Sequence, residues 1–234
     1  MTNPPPVPSP PPYGTPEEPR LAVRGEARLE VDPEIARIAV TVAVRGTDRR
    51  DALADLTRRN TEARELIRSY GEAVEKLETG ALLVTPELGR HSRGERVRRY
   101  HGRVRLTATL GDFTALGELS TRAADLDLAT VEGPWWGLRP DSPVHREARQ
   151  QAVREAVTRA REYAAALGAD LTAVVEVADE GAEHPEMWMA REASRGFGGV
   201  AAAAEPAPAL DLEPQRQTVY ARVNARFVMT RPQL

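Results

Sequence analysis

Between Leu21 and Gly46 the chain alternates apolar and polar residues almost without a break, and a single dipeptide interrupts the pattern. Leu21, Val23, Ala27, Leu29 and Val31 alternate with Arg24, Glu26, Arg28 and Glu30. That is the period of a strand with one buried and one wet face. Asp32-Pro33 follows. Proline has no N–H for a ladder and pushes the residue before it away from helical geometry, so the chain turns there. Ile38, Val40, Val42 and Val44 then alternate with Arg37, Ala39, Thr41 and Ala43. The pair predicts a long hairpin hinged at Asp32-Pro33, and the sequence after Gly46 switches at once to helical periodicity.

The chain has 234 residues, enough for one medium domain or two small ones and for a core that removes roughly 70% of the unfolded surface from water. Aromatic residues make up only 5%, so that core is aliphatic. A net charge of −3 gives no reason to expect nucleic acid or an anionic membrane as the main partner. Lys76 is the only lysine, and the remaining cationic charge is arginine, whose planar fork suits bidentate contacts with anions. The absence of cysteine excludes disulfides, thiol nucleophiles and thiolate metal sites. The N-terminus shows neither the basic nor the apolar region of a secretory signal, and no run of 18 apolar residues occurs, so the expectation is a cytoplasmic protein with no membrane span.

Residues 1–20 contain nine prolines and little apolar bulk, which predicts a disordered Pro-rich tail. Such tails either solubilise a domain or dock SH3-like and WW-like grooves. Thr47 or Asp48 can cap a first helix with the stripe Leu53, Leu56, Ala63, Ile67 and Tyr70, stopped by Gly71. Ala81 to Leu88 and Arg96 to Leu110 form a second long hairpin, and Asp112 caps a shorter helix bearing Phe113, Leu116, Leu119 and Ala123. Ala129 to Leu138 is a strand. Ser142-Pro143 opens a long Ala-rich helix with the stripe Val153, Val157, Ala160, Ala164 and Leu167, closed by Gly168. Leu171 to Val177 and Val219 to Phe227 are the last strands, separated by a low-complexity insert at about 179–216. This order predicts an α+β fold in which helices pack as a second layer on a largely antiparallel sheet within a domain at 21–230.

Several of these stretches resemble one family. Leu21-Ala22-Val23-Arg24-Gly25-Glu26-Ala27 leading to Val31-Asp32-Pro33-Glu34-Ile35-Ala36 is similar to the opening of the SIMPL domain, with Asp32-Pro33 in place of the family's usual Pro-Asp order. Asn60, the strand around Tyr100, the helix from Glu147 to Val153 and from Ala160 to Gly168, and the closing Leu212-Glu213-Pro214 with Val219 to Phe227 extend the resemblance. The resemblance implies modest functional content. Many members are exported or periplasmic, one immunogenic periplasmic member builds a ring-like oligomer, some are linked to oxidative stress, and an animal member binds a signalling kinase. It brings no catalytic residues and no cofactor.

Motifs with chemistry are scarce. Arg90, Arg93, Arg96, Arg98, Arg99, Arg103 and Arg105 with His91 and His101 form the densest basic stretch, a candidate patch for an anion or acidic partner centred on Arg93, Arg96, Arg98 and Arg99. The plainer reading is solvated surface that keeps strands from pairing. His184, Met187 and Met189 are a soft donor set for Cu(I), although the same hydrophobic segment, Met187-Trp188-Met189, reads better as a docking surface. Arg195-Gly196-Phe197-Gly198-Gly199 only echoes a phosphate loop, without lysine. Trp135 and Trp136 must face opposite ways on one strand, one toward the core and one as an interface anchor. No HExxH, GxSxG or Cys/His pair occurs. The expectation is a non-enzymatic SIMPL-domain protein acting by self-assembly into a homo-oligomer and by protein binding, with a link to stress response. The alternative is an enzyme or small-molecule binder using a cleft under the 179–216 insert.

Overall fold

The computed structural model describes residues 14–88, 97–179 and 210–233. In chain order these form β1 (Arg20–Val31), β2 (Ile35–Gly46), α1 (Arg49–Arg68), β3 (Val74–Leu88), β4 (Val97–Leu110), α2 (Phe113–Ala124), β5 (Ala129–Gly137), α3 (Pro143–Ala166), β6 (Leu171–Asp179) and β7 (Gln217–Met229). They divide into two compact units, one holding β1, α3, β6 and β7, the other holding β2 to β5 with α1 and α2. The α+β class holds, with two sheets in place of the single layer expected: a three-stranded sheet ordered β1-β7-β6 and a four-stranded sheet ordered β3-β4-β2-β5.

The first expected hairpin does not form. β1 lies beside β7, whereas β2 pairs antiparallel with both β4 and β5. The physical reason lies in the connection. A two-residue hairpin turn needs positive φ at one or both central residues, and Pro33, with φ fixed near about −65° and no N–H to donate, does not suit it. Pro33 is buried, and it redirects the chain instead of folding it back. The second expected hairpin does form, and its first strand starts at Val74, earlier than the predicted Ala81.

In the first unit, α3 opens on Ser142, whose Oγ accepts from the Val144 N–H at 3.4 Å, with Pro143 in the first turn. It closes with the Ala169 N–H donating to the Ala164 carbonyl at 2.9 Å and the Gly168 N–H to that of Ala165 at 3.0 Å. Gly168 has a φ of +64°, the left-handed position this two-bond cap requires. The expected stripe of Val153, Val157, Ala160, Ala164 and Leu167 holds at Ala160 and Ala164 and in part at Val157, but not at Val153. Ala148, Ala152, Ala156, Ala160 and Ala164 are buried at every fourth position, Val153 is exposed and Leu167 only half-buried.

Small residues are required there by β1. A Cβ placed on Gly25 would run into the Ala152 carbonyl oxygen and lie 2.7 Å from both the N and the Cβ of Ala156. Helix and strand backbones are therefore in direct contact. Beside this point Glu155 Oε2 accepts the Glu26 backbone N–H at 3.0 Å. Val23, Ala27, Val223, Ala225 and Phe227 complete the core beneath the alanines. The 1–20 segment ends in this sheet, since Pro19 O accepts the Met229 N–H at 3.0 Å and β1 opens at Arg20.

In the second unit, Ala36, Ile38, Val40, Val42 and Val44 of β2 meet Val104, Leu106, Ala108 and Leu110 of β4 under α1 and α2. Asp48 caps α1 by accepting the N–H of Arg50 at 2.7 Å and of Asp51 at 3.2 Å, and Asp112 caps α2 through Thr114 at 2.9 Å and Ala115 at 3.1 Å. The buried stripe of α1 is Ala52, Leu56, Ala63 and Ile67, and Leu53 points outward, contrary to the expected stripe. The end of the 179–216 insert belongs to this unit. Leu212 packs on its core, the Leu210 N–H donates to Thr121 Oγ1 at 3.2 Å, and Arg216 pairs with Asp32 at 3.4 Å. Residues 180–209 lie outside the described residues, as do residues 1–13 of the expected tail.

Arg59 ties α1 to the turn before β5. It is largely buried and donates to Asp55 Oδ2 at 2.9 Å, the Asp127 carbonyl at 2.8 Å and Asp127 Oδ2 at 2.8 Å. Hydrogen bonds from Arg59, and then from Arg58, hold the Asp55 carboxyl below its ordinary value of 3.8.

Two predictions follow from this packing. Gly25→Ala should lower stability by about 3 kcal/mol, because the added methyl meets helix backbone that cannot yield, whereas Ala166→Ser at an exposed α3 position should change it by under about 0.5 kcal/mol. Urea unfolding compares the two, and equal midpoints would contradict the close contact. The second concerns acid. A carboxylate with a depressed folded-state pKa contributes stability that is complete above its unfolded value, here near 3.8, and that disappears as pH falls through the lower folded value. Asp55→Asn should therefore destabilise the protein at neutral pH and flatten its loss of stability below that value. Denaturation curves across acidic pH read both effects.

Candidate interaction surfaces

The tryptophan pair sits on β5, the outermost strand beside β2, with Trp136 opposite Ala36 and Trp135 opposite Arg37. The period-two reading holds. Trp136 packs on the helix-covered core, edge-on to Phe113 with centroids 4.9 Å apart. Trp135 lies on the other face and is 43% exposed, with the Arg105 guanidinium 5.8 Å from its ring centroid. Arg105 also donates to Glu132 at 3.0 Å.

Strand edges differ sharply in how they are protected. β1 is closely covered by α3, its Glu26 amide is taken by Glu155, and it bears the pairs Arg24–Glu26 at 3.4 Å and Arg28–Glu30 at 2.6 Å. β3 carries Glu75, Lys76, Glu78 and Pro86 beside exposed Leu82, Leu83 and Leu88, and β5 carries Pro134. Charges and prolines of this kind discourage a further strand from joining. At the far edge of the three-stranded sheet, β6 pairs with β7 alone among the described residues and exposes Val174, Val175 and Val177. Register shifts bend its first half, whereas residues 176–179 pair regularly with β7. Its charge at Glu176 is matched by Arg226 at 2.5 Å.

Of the predicted basic patch, Arg98 and Arg99 are exposed at the start of β4, and Arg93 and Arg96 lie outside the described residues. Met187, Trp188 and Met189, the other candidate interface residues, also lie outside them, as does His184. On β4, His101 Nε2 is 2.6 Å from Glu87 Oε2 of β3. That hydrogen bond, with the fields of His101, Arg98 and Arg99 behind it, holds the Glu87 carboxyl below the usual carboxylate range. Arg45 of β2 sits opposite His101, an arrangement that no local sequence signal announces because strand register creates it. Among the described residues no group of three or more His, Cys, Asp or Glu is placed to hold a metal ion, and no helix is long and apolar enough to cross a membrane.

Helix-backed, largely antiparallel sheets with surface features at strand edges and sheet faces define an α+β protein. The chain belongs to the SIMPL family, described as a protein of unknown function (DUF541), which matches residues 21–227. It is similar to the 26 kDa periplasmic immunogenic proteins of Brucella melitensis biotype 1 and Brucella abortus, at 25% identity over 167 residues, covering 68% of this chain and 66% of each relative. The chain thus spans slightly less than two thirds of the length of these relatives. A crystal structure of a proposed amidohydrolase/peptidase from Burkholderia cenocepacia aligns with 57% of this chain and 33% of that one at 20% identity and a TM-score of 0.25, too low to carry an argument.

The two tryptophans should respond differently to truncation. Trp136→Ala removes a ring packed on the core and should cost about 3 kcal/mol, and Trp135→Ala on the exposed face less than about 1 kcal/mol. Chemical denaturation of both variants checks this, and a larger loss for Trp135→Ala would reverse the assignment of faces.

Proposed function

We propose that the protein works without chemistry of its own, by self-assembly and by binding other proteins, and that β6 is where an additional strand joins. The carrying observation is the contrast between edges. Helix contact, ion pairs or prolines interrupt β1, β3 and β5, although β3 also exposes Leu82, Leu83 and Leu88, whereas β6 presents Val174, Val175 and Val177 without a proline and pairs, among the described residues, with β7 alone. An edge of that kind is a template for β-augmentation, in which main-chain hydrogen bonds supply affinity and alternate side chains supply selectivity. Trp135 adds a rigid aromatic on the second unit of the kind that anchors protein interfaces.

Light scattering coupled to size exclusion, at tens of micromolar protein, tests the assembly. The unmodified chain should elute as a homo-oligomer, and Val175→Lys/Val177→Lys, at half-exposed positions that tolerate a charge, should shift it to monomer with an unchanged circular dichroism spectrum. A monomeric mass for the unmodified chain overturns self-assembly.

A further inference from the structure

The sheet face opposite α1 and α2 carries a row of cations that the described carboxylates neutralise only in part. β4 sends Arg99, His101, Arg103 and Arg105 to one side at two-residue intervals, each about 6.8 Å from the next. Register brings Arg45 of β2 opposite His101 on that same side, between the rows carrying Arg99 and Arg103. Arg45, Arg99 and Arg103 are exposed, and none of them makes an ion pair or side-chain hydrogen bond among the described residues. Several other arginines do have carboxylate partners, among them Arg58 with Asp55, Arg159 with Glu155, Arg139 with Glu75 and Arg226 with Glu176. Here the carboxylates are Glu87, opposite Arg99 in register but hydrogen-bonded to His101, and Glu132, which is taken by Arg105.

Three features describe the ligand. The cations stand in a row with the repeat of an extended chain, so the ligand is extended. They are arginines, whose forks match carboxylates in bidentate fashion. The chain as a whole carries −3, which penalises a long polyanion passing over the rest of the surface more than a short acidic segment confined to the patch. We propose that the face bearing Arg45, Arg99 and Arg103 binds an extended acidic peptide segment whose alternate Asp or Glu side chains meet these guanidinium groups. The surface is separate from the β6 edge and does not depend on self-assembly.

Fluorescence anisotropy on the full chain tests this with a fluorescein-labelled peptide of about ten residues alternating Glu and Thr, a Lys/Thr counterpart, and a labelled single-stranded DNA of similar length. The Glu/Thr peptide should bind at low salt and weaken as salt is raised, and the Lys/Thr peptide should not bind. Arg45→Glu/Arg103→Glu should weaken the acidic peptide at least about tenfold, whereas Arg50→Glu/Arg149→Glu, which changes net charge equally on helix surfaces, should leave it within about twofold. Circular dichroism confirms that both variants are folded. Equal losses in the two variants, no binding of the acidic peptide by the unmodified chain, or tighter binding of the DNA would each overturn the proposal.

Discussion

The contact between α3 and β1 at Gly25 sets the terms for the whole first unit. With the helix backbone against the strand backbone, the interface has room for alanine and little else, which is why Ala148, Ala152, Ala156, Ala160 and Ala164 form the buried line while Val153 stays outside. Close approach gives up the large transfer energy of a Leu or Val stripe. It gains many short dispersion contacts along the helix, and it lets the helix side chain Glu155 reach a strand amide that would otherwise face the sheet edge.

The second unit is organised around β2. It pairs on both sides, and Ala36, Ile38, Val40, Val42 and Val44 disappear under the helices while Arg37 and Arg45 remain on the other face. Because every strand residue is committed to one face or the other by the pleat, the register that buries the valines also fixes which cations share the opposite surface. Arg45 next to His101 and Arg105 over Trp135 are by-products of core packing that became surface chemistry.

Local features were legible in the sequence because their causes are local. Asp48, Asp112, Ser142-Pro143 and Gly168 satisfy helix ends with atoms a few residues away, and each stands where its capping chemistry predicts. The opposite phases of Trp135 and Trp136 follow from strand geometry alone. Pairing was not legible, since β1 and β2 read equally well as partners until β7 and β4 compete for them. The α3 stripe was legible at Ala160 and Ala164 but not at Ala148, Ala152 and Ala156, because the distance between backbones and not side-chain size decides burial there. Leu53 and Ala52 on α1 repeat that lesson on a smaller scale. The start of β3 was missed because Glu75, Lys76, Glu78 and Gly80 dilute its alternation. Of the surface patches, Arg98 and Arg99 could be read from charge density, while the placement of Arg45 needed the register.

The first unit is also discontinuous along the chain, and this gives the charges of β1 a second use. β1 ends at Val31, its neighbour β7 begins only at Gln217, and the whole of β2 to β5 with α1 and α2 lies between them. On the ribosome the second unit has all its strands in hand while β1 is still waiting for a partner, and the loop to be closed is long. A waiting strand is an aggregation risk. The alternating Arg24, Glu26, Arg28 and Glu30 make an unpaired β1 a poor template for other strands, so a pattern that looks like surface decoration in the finished protein also discourages mispairing before β7 arrives.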